Sequence, residues 1–226
     1  MVKWGADMKK LLWVAAAAAF ALAGTANAAV TITVDPTVTD YASDLLAVPD
    51  SEIIWDFDAI AAAGYNYSPL SATDTGNTPN VARQPTGDNT TYGVVDPTQS
   101  PASFTAANGL KKFSFLVGSP DLFNRIVFLR ADNSVIADLT GAAAFGPTIT
   151  PNGSDTAYRV NYEFGGESAY TIQFYSNLNQ NSFAFEYDRF AGVVPEPATW
   201  GMMILGFFGL GSVLRVSRRR AALGLA

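Results

Sequence analysis

The chain contains neither cysteine nor histidine. Without cysteine it can form no disulfide, offers no thiol nucleophile and carries no lipobox cysteine for a lipid anchor. Without histidine it lacks the commonest general base and the commonest transition-metal ligand. Hydrolase triads built on histidine, and zinc sites of the Cys/His kind, are therefore excluded. Positive charge is scarce in the middle of the chain. Of the 14 Lys and Arg residues, seven lie near the two ends: Lys3, Lys9, Lys10, Arg215, Arg218, Arg219 and Arg220. That leaves seven in residues 29–194 against 18 of the 20 acids, a net charge of −11. Such a segment repels nucleic acid and anionic membrane surfaces, so no nucleic-acid partner is expected, while a divalent cation such as calcium is compatible with it.

At 226 residues there is room for one domain with its own core plus a segment at each end. Lys9 and Lys10 precede a 13-residue apolar run over residues 11–23, followed by Gly24, Thr25, Ala26, Asn27 and Ala28. A basic start, an apolar stretch of this length and small residues at Ala26 and Ala28 predict a secretory signal helix over residues 1–28. Signal peptidase and the secretion machinery are the implied partners, and Ala29 becomes the mature N-terminus. Met8 with Lys9, Lys10 and Leu11 is itself a complete leader opening.

At the other end, Val194-Pro195-Glu196-Pro197 leads into 17 uncharged residues, 198–214, and then into the arginines. As a helix this run spans about 25 Å at ~1.5 Å per residue, short but sufficient for a transmembrane segment. Trp200 sits where an interfacial aromatic belongs, and the arginine cluster marks the cytoplasmic side. The two prolines keep Glu196 extended and outside the membrane.

Pro195, Glu196, Pro197, Trp200, the apolar run and Arg218, Arg219 and Arg220 together closely resemble the PEP-CTERM sorting signal of Gram-negative bacteria, in its variant with tryptophan three residues after the second proline. Gly201 stands where that variant usually has alanine. The resemblance covers residues 194–220. It implies transient insertion in the inner membrane, recognition by an exosortase, cleavage near the Pro-Glu-Pro motif, and release or attachment in the cell envelope or exopolysaccharide. A plain C-terminal membrane anchor is the simpler alternative.

Between the two ends, residues 29–193 show strong period-2 alternation from Lys111 onward. Phe113, Phe115 and Val117 share one face, as do Ile126 and Phe128; Tyr158, Val160, Tyr162 and Phe164; Tyr170, Ile172 and Phe174; and Phe183, Phe185 and Tyr187. Turn residues separate these runs. An all-β fold follows, an antiparallel β-sandwich of jelly-roll type with Phe113, Phe115, Phe128, Tyr162, Phe174, Phe183 and Phe185 in one core. No helix is expected beyond one turn near residues 59–63. Residues 64–103, with four glycines and five prolines, read as long loops at one end of the sandwich.

Two sets of candidate contacts arise within the domain. Residues 113–141 resemble a stretch of exosortase-dependent surface proteins, a strand, a G-S-x-D-x-[YF]-N turn and a second strand, here with Gly118, Ser119, Asp121, Phe123 and Asn124. Asp121 and Asn124 read either as sugar or metal contacts or as backbone-bonding turn residues, with Tyr65, Tyr67 and Tyr92 as stacking platforms for a glycan or as ordinary packing. Asp56 with Asp58, and Glu186 with Asp188, each place two carboxylates on one strand face, about 7 Å apart. If the strands bearing them are neighbours, the four acids make a calcium site; otherwise they are a solvated face with Arg189 as partner. The expected function is a non-enzymatic, secreted envelope or extracellular-matrix protein associated with exopolysaccharide. A carbohydrate-binding module is the alternative, and a secreted hydrolase using these acids comes third.

Overall fold

A computed structural model describes residues 30–59, 61–79, 81–151, 156–176, 183–195 and 207–208. The predicted signal helix with Ala26, Ala28 and Ala29 lies outside these residues, as do Glu196, Pro197, Trp200, Arg218, Arg219 and Arg220. Residues 207 and 208 are helical, and among the described residues no helix is long and apolar enough to cross a membrane.

Among the described residues, twelve strands form two antiparallel sheets: β1 (Thr31–Asp35), β2 (Ile53–Trp55), β3 (Tyr65–Ser68), β4 (Thr73–Thr75), β5 (Thr91–Val95), β6 (Ala102–Leu110), β7 (Lys112–Val117), β8 (Arg125–Leu129), β9 (Val135–Thr140), β10 (Tyr158–Glu163), β11 (Ala169–Tyr175) and β12 (Phe185–Val193). The larger sheet runs β1-β10-β7-β12-β5-β4, with β2 also paired to β12; the smaller runs β3-β6-β11-β8-β9. Phe113, Phe115, Tyr162, Phe185 and Tyr187 from the first meet Phe104, Ile126, Phe128, Ile172 and Phe174 from the second in one buried cluster. The expected all-β sandwich is thus present, its inner faces marked by the period-2 aromatics.

Phe183 departs from that pattern. It precedes β12 and is 50% exposed. Residues 64–103 are not simply loops either, for they carry β3, β4, β5 and the start of β6. These strands are short and interrupted by Gly and Pro, so the window is too small for a periodic signal to emerge. Gly93 in β5 is needed for packing: a side-chain carbon there would overlap the rings of Tyr187 and Phe57.

The outer face of the larger sheet is covered as well. A helix, α1 (Tyr41–Ala47), crosses one part of it. Asp40 caps α1 by accepting from Ser43 N at 2.7 Å, and its own amide donates to Ser43 Oγ. No such helix is evident from periodicity, because its one buried residue is the charged Asp44 and it buries no apolar face. A second short helix, α2 (Ala142–Phe145), tucks Phe145 under the core, while residues 59 and 61–63 are not helical. Residues 76–79 and 81–90 cover another part of the outer face, where Ala82, Tyr92, Val94 and Ala184 form a small separate cluster. Strand β12 is therefore buried on both sides. Its bulge, with Arg189 at φ 48°, lets Tyr187 and Phe190 both face inward although they are three residues apart.

Candidate functional site

Alternation along β12 sends Glu186 and Asp188 outward, toward the covering segments. Glu186 is 2% exposed. Its Oε1 accepts the Arg83 amide at 3.0 Å, and its Oε2 accepts the Ser119 hydroxyl at 2.7 Å. Both partners are held close by backbone pairing to β12: Gly118 N donates to Glu186 O at 3.0 Å, and Ala184 N donates to Val81 O at 2.8 Å. The approach is close, for a Cβ on Gly118 would lie 3.1 Å from Glu186 Cβ. The G-S-x-D-x-F-N turn thus packs directly over Glu186.

Above this carboxyl opens a cleft of about 550 Å³ between residues 77–79 and 81–83 on one side and the turn after β7 on the other. Arg83, Ser119, Asp121, Phe123, Phe183 and Glu186 supply its chemistry. Burial raises Glu186 to about 8, helped by the charge of Asp121 and opposed by the Ser119 and Arg83 hydrogen bonds. Burial likewise raises Asp121 to about 6, with the Arg83 charge pulling the other way. At neutral pH the cleft therefore holds one protonated carboxyl, one carboxylate and one guanidinium. A larger hollow of about 740 Å³ lies near Glu52 and Lys112, but Lys112 and Glu163 in its lining are half-exposed and paired to each other, which is ordinary surface chemistry.

A second acidic group lies further along β12. Asp188 is fully buried and Asp88 is 3% exposed. Each has Oδ1 bonded locally, to Arg189 N and to Thr90 N respectively, and each has an Oδ2 without a partner. Burial pushes both carboxyls up, and for Asp188 the charges of Asp88, Asp58 and Asp56 push further. A proton held by one and offered to the other satisfies both unpartnered oxygens. Beside them, Asp44 on α1 takes both Nε and Nη2 of Arg159 at 2.6 Å and Nε of Arg189 at 2.8 Å, all three side chains being buried. Arg189 also reaches Asp50 and Val48 O. This network ties α1 to β10 and β12.

The structure divides the residues expected to act together. Strand β2, just ahead of Asp56 and Asp58, does pair with β12, with Trp55 opposite Phe190. Asp56 and Asp58 accordingly lie within electrostatic reach of Asp188. Glu186, however, belongs to the cleft with Ser119 and Asp121. Among the described residues no three acidic side chains are grouped to hold a metal ion, so the calcium set of Asp56, Asp58, Glu186 and Asp188 does not assemble. Asp58 Oδ1 instead accepts Thr91 N at 2.9 Å. Arg189, the alternative partner for these acids, points to Asp44 and Asp50.

Tyr67 and Tyr92 are not platforms, while Tyr65 is half-buried. Tyr67 is 2% exposed, bonding Ala72 O and the Tyr187 hydroxyl; Tyr92 is fully buried and donates to Gly76 O; Tyr65 packs flat on Phe104. All three lie on strands rather than loops. Asn124 is buried and supports the turn, its amide bonding Asp121 O at 3.2 Å, whereas Asp121 does line the cleft. Arg83 carries no signal in the sequence, because only the covering segment brings it to Glu186; Phe183, expected in the core, stands at the cleft instead, and Ser119 and Phe123 lie within the turn motif. Compared with protein-family models, curated proteins and solved structures, the chain has no match.

Proposed function

We propose that the chain is a non-enzymatic extracytoplasmic protein of a Gram-negative bacterium, sorted by exosortase to the cell envelope or extracellular matrix and associated there with exopolysaccharide. The observation that supports this reading is where the last described strand ends. Strand β12 ends at Val193, two residues before Pro195, so the proposed cleavage at the Pro-Glu-Pro motif falls outside every described strand. A jelly-roll reading accompanies it. Strands β5 to β12 pair as β10-β7-β12-β5 and β6-β11-β8-β9, the order expected of two interleaved Greek keys; β1, β3 and β4 extend the edges.

Intact mass of the secreted form tests the sorting. It should begin near Ala29 and end near residues 195–197, and alanines in place of Pro195, Glu196 and Pro197 should leave the precursor in the inner membrane. Arg218, Arg219 and Arg220 still attached in the extracellular fraction would refute it.

A second reading, glycan binding, is supported by the cleft at Glu186, a concave site with aromatic walls and a few convergent polar groups. Hydrolysis is less well supported. Glu186 is almost wholly buried with both oxygens engaged, and Asp188 belongs to a different cluster.

A further inference from the structure

Residues 81–90 lie over β12 as a strap with little of its own to hold it down. The strap belongs to none of the twelve strands, and along it only Ala82, Pro85 and Asp88 are buried. Its backbone ties include Val81 O accepting Ala184 N, Arg83 N donating to Glu186 Oε1, and Thr86 O accepting Tyr41 N from α1. A segment with so small an apolar footing and no strand ladder is a natural unit of local opening.

Asp88 marks where the strap meets β12. It faces Asp188, and the two carboxyls lie in side-chain hydrogen-bonding contact. Each spends Oδ1 on a local amide, Thr90 N for Asp88 and Arg189 N for Asp188, and each leaves a buried Oδ2 unpartnered. Two carboxylates are a poor pair in such a place, since their oxygens only accept and both charges have left water. One proton between them removes a charge and supplies the missing donor. A metal ion has no comparable seat, for among the described residues no three acidic side chains are grouped to hold one. The other groups facing the pair are the carboxyls of Asp56 and Asp58 after β2, and the phenols of Tyr41 on α1 and Tyr92 on β5. On β12 itself, Glu186 keeps its own proton up to about 8, and the Arg189 guanidinium is taken up by Asp44 and Asp50.

We propose that residues 81–90 are a proton-locked strap: one proton shared by Asp88 and Asp188 holds them on β12, and its loss in alkali opens them and uncovers the outward side of β5 and β12 at Tyr92 and Val94. The sign follows from burial. With the strap closed, the buried pair keeps its proton beyond the ordinary carboxyl range; with the strap open, both acids meet water and release it. Closure is therefore strongest below about pH 4 and weakens as pH rises, until the closed form has lost the proton as well. Because opening releases one proton, each pH unit within that span shifts the opening equilibrium about tenfold. The main core stays packed throughout, since no strap residue belongs to it.

The test is amide hydrogen exchange of the secreted protein, read by mass spectrometry from about pH 5 to about pH 10 and expressed as protection relative to the free peptide. Protection over residues 83–91 should fall as pH rises, while that of β7, β8 and β11 holds. Asp188→Asn replaces the shared proton with an amide that donates to Asp88 at every pH. Its strap protection should therefore change about tenfold less per pH unit than that of wild type. Asp88→Asn makes the same exchange from the strap side and decides the matter if the first variant does not fold. Glu186→Gln should leave the difference between wild type and Asp188→Asn in place, which separates the pair from the second proton on β12. Equal pH dependence in wild type and the asparagine variants would overturn the proposal, as would strap protection lost only together with that of the core strands. A fall in strap protection when chelator is added at fixed pH would assign the two oxygens to a metal ion and overturn it too. Sorting at the C-terminal tail is read separately by mass and stands or falls on its own.

Discussion

Glu186→Gln should make the protein more stable in alkali while leaving it unchanged in acid. The folded protein holds the Glu186 proton up to about pH 8, whereas the unfolded chain releases it near the ordinary 4.5. The folded state therefore binds more protons across this window. The stability from that proton is complete below about pH 4.5, declines as pH rises, and is gone above about pH 8. One proton is worth about 1.4 kcal/mol per pH unit, so the whole shift amounts to about 5 kcal/mol as an upper limit. Glutamine has the shape of the protonated acid. Its carbonyl can accept the Arg83 amide, and its NH2 can donate to the Ser119 hydroxyl, which turns to accept. Urea denaturation of wild type and variant near pH 4.5 should give stabilities within about 1 kcal/mol of each other. By about pH 8.5 the variant should be more stable by several kcal/mol. Wild type will retain further pH dependence from Asp188 and Asp88, whose carboxyls are also raised, so the difference between the two curves isolates Glu186. Parallel curves would show that Glu186 is ionised in the native state and refute the reasoning.

Asp44→Asn should cost about 3–5 kcal/mol, because it leaves two buried guanidinium groups, Arg159 and Arg189, without their shared carboxylate. A loss below about 1 kcal/mol in chemical denaturation would mean that Asp50 and the backbone carbonyls suffice for both. Phe185→Ala should cost about 3–5 kcal/mol, since the ring is fully buried against Phe115, Phe145, Phe174 and Tyr187. Phe183→Ala, two positions earlier on a half-exposed side chain, should cost less than about 1 kcal/mol. Equal losses from the two phenylalanines would contradict the start of β12 at residue 185.

Much of the sandwich was legible because it is written in a short-range code. Strands β7, β10 and β11, and the first half of β12, alternate large apolar and polar residues, while β8 is a short apolar run between turn residues, and a period of two has only one structural reading over five or more residues. The inward faces at Phe113, Phe115, Phe128, Tyr162 and Phe174 follow from it. The same alternation placed Glu186 and Asp188 on one outward face. It could not say that this face is covered. That depends on α1 and residues 76–79 and 81–90 folding back over β12, contacts separated by about a hundred residues that leave no local period. Once covered, the two acids ceased to be a pair: Glu186 met Ser119, Asp121 and Arg83, and Asp188 met Asp88. The tyrosines followed the same logic. Tyr67 and Tyr92 sit in a Gly- and Pro-rich stretch that resembles loop, yet β3 and β5 pair with the distant strands β6 and β12, and so both rings are buried. Sequence alone determined which residues face one another along a strand and set the charge asymmetry between the domain and its two ends. Tertiary structure alone decided which outward-facing groups lost their water, and with it the protonation that distinguishes the cleft from the rest of the acidic surface.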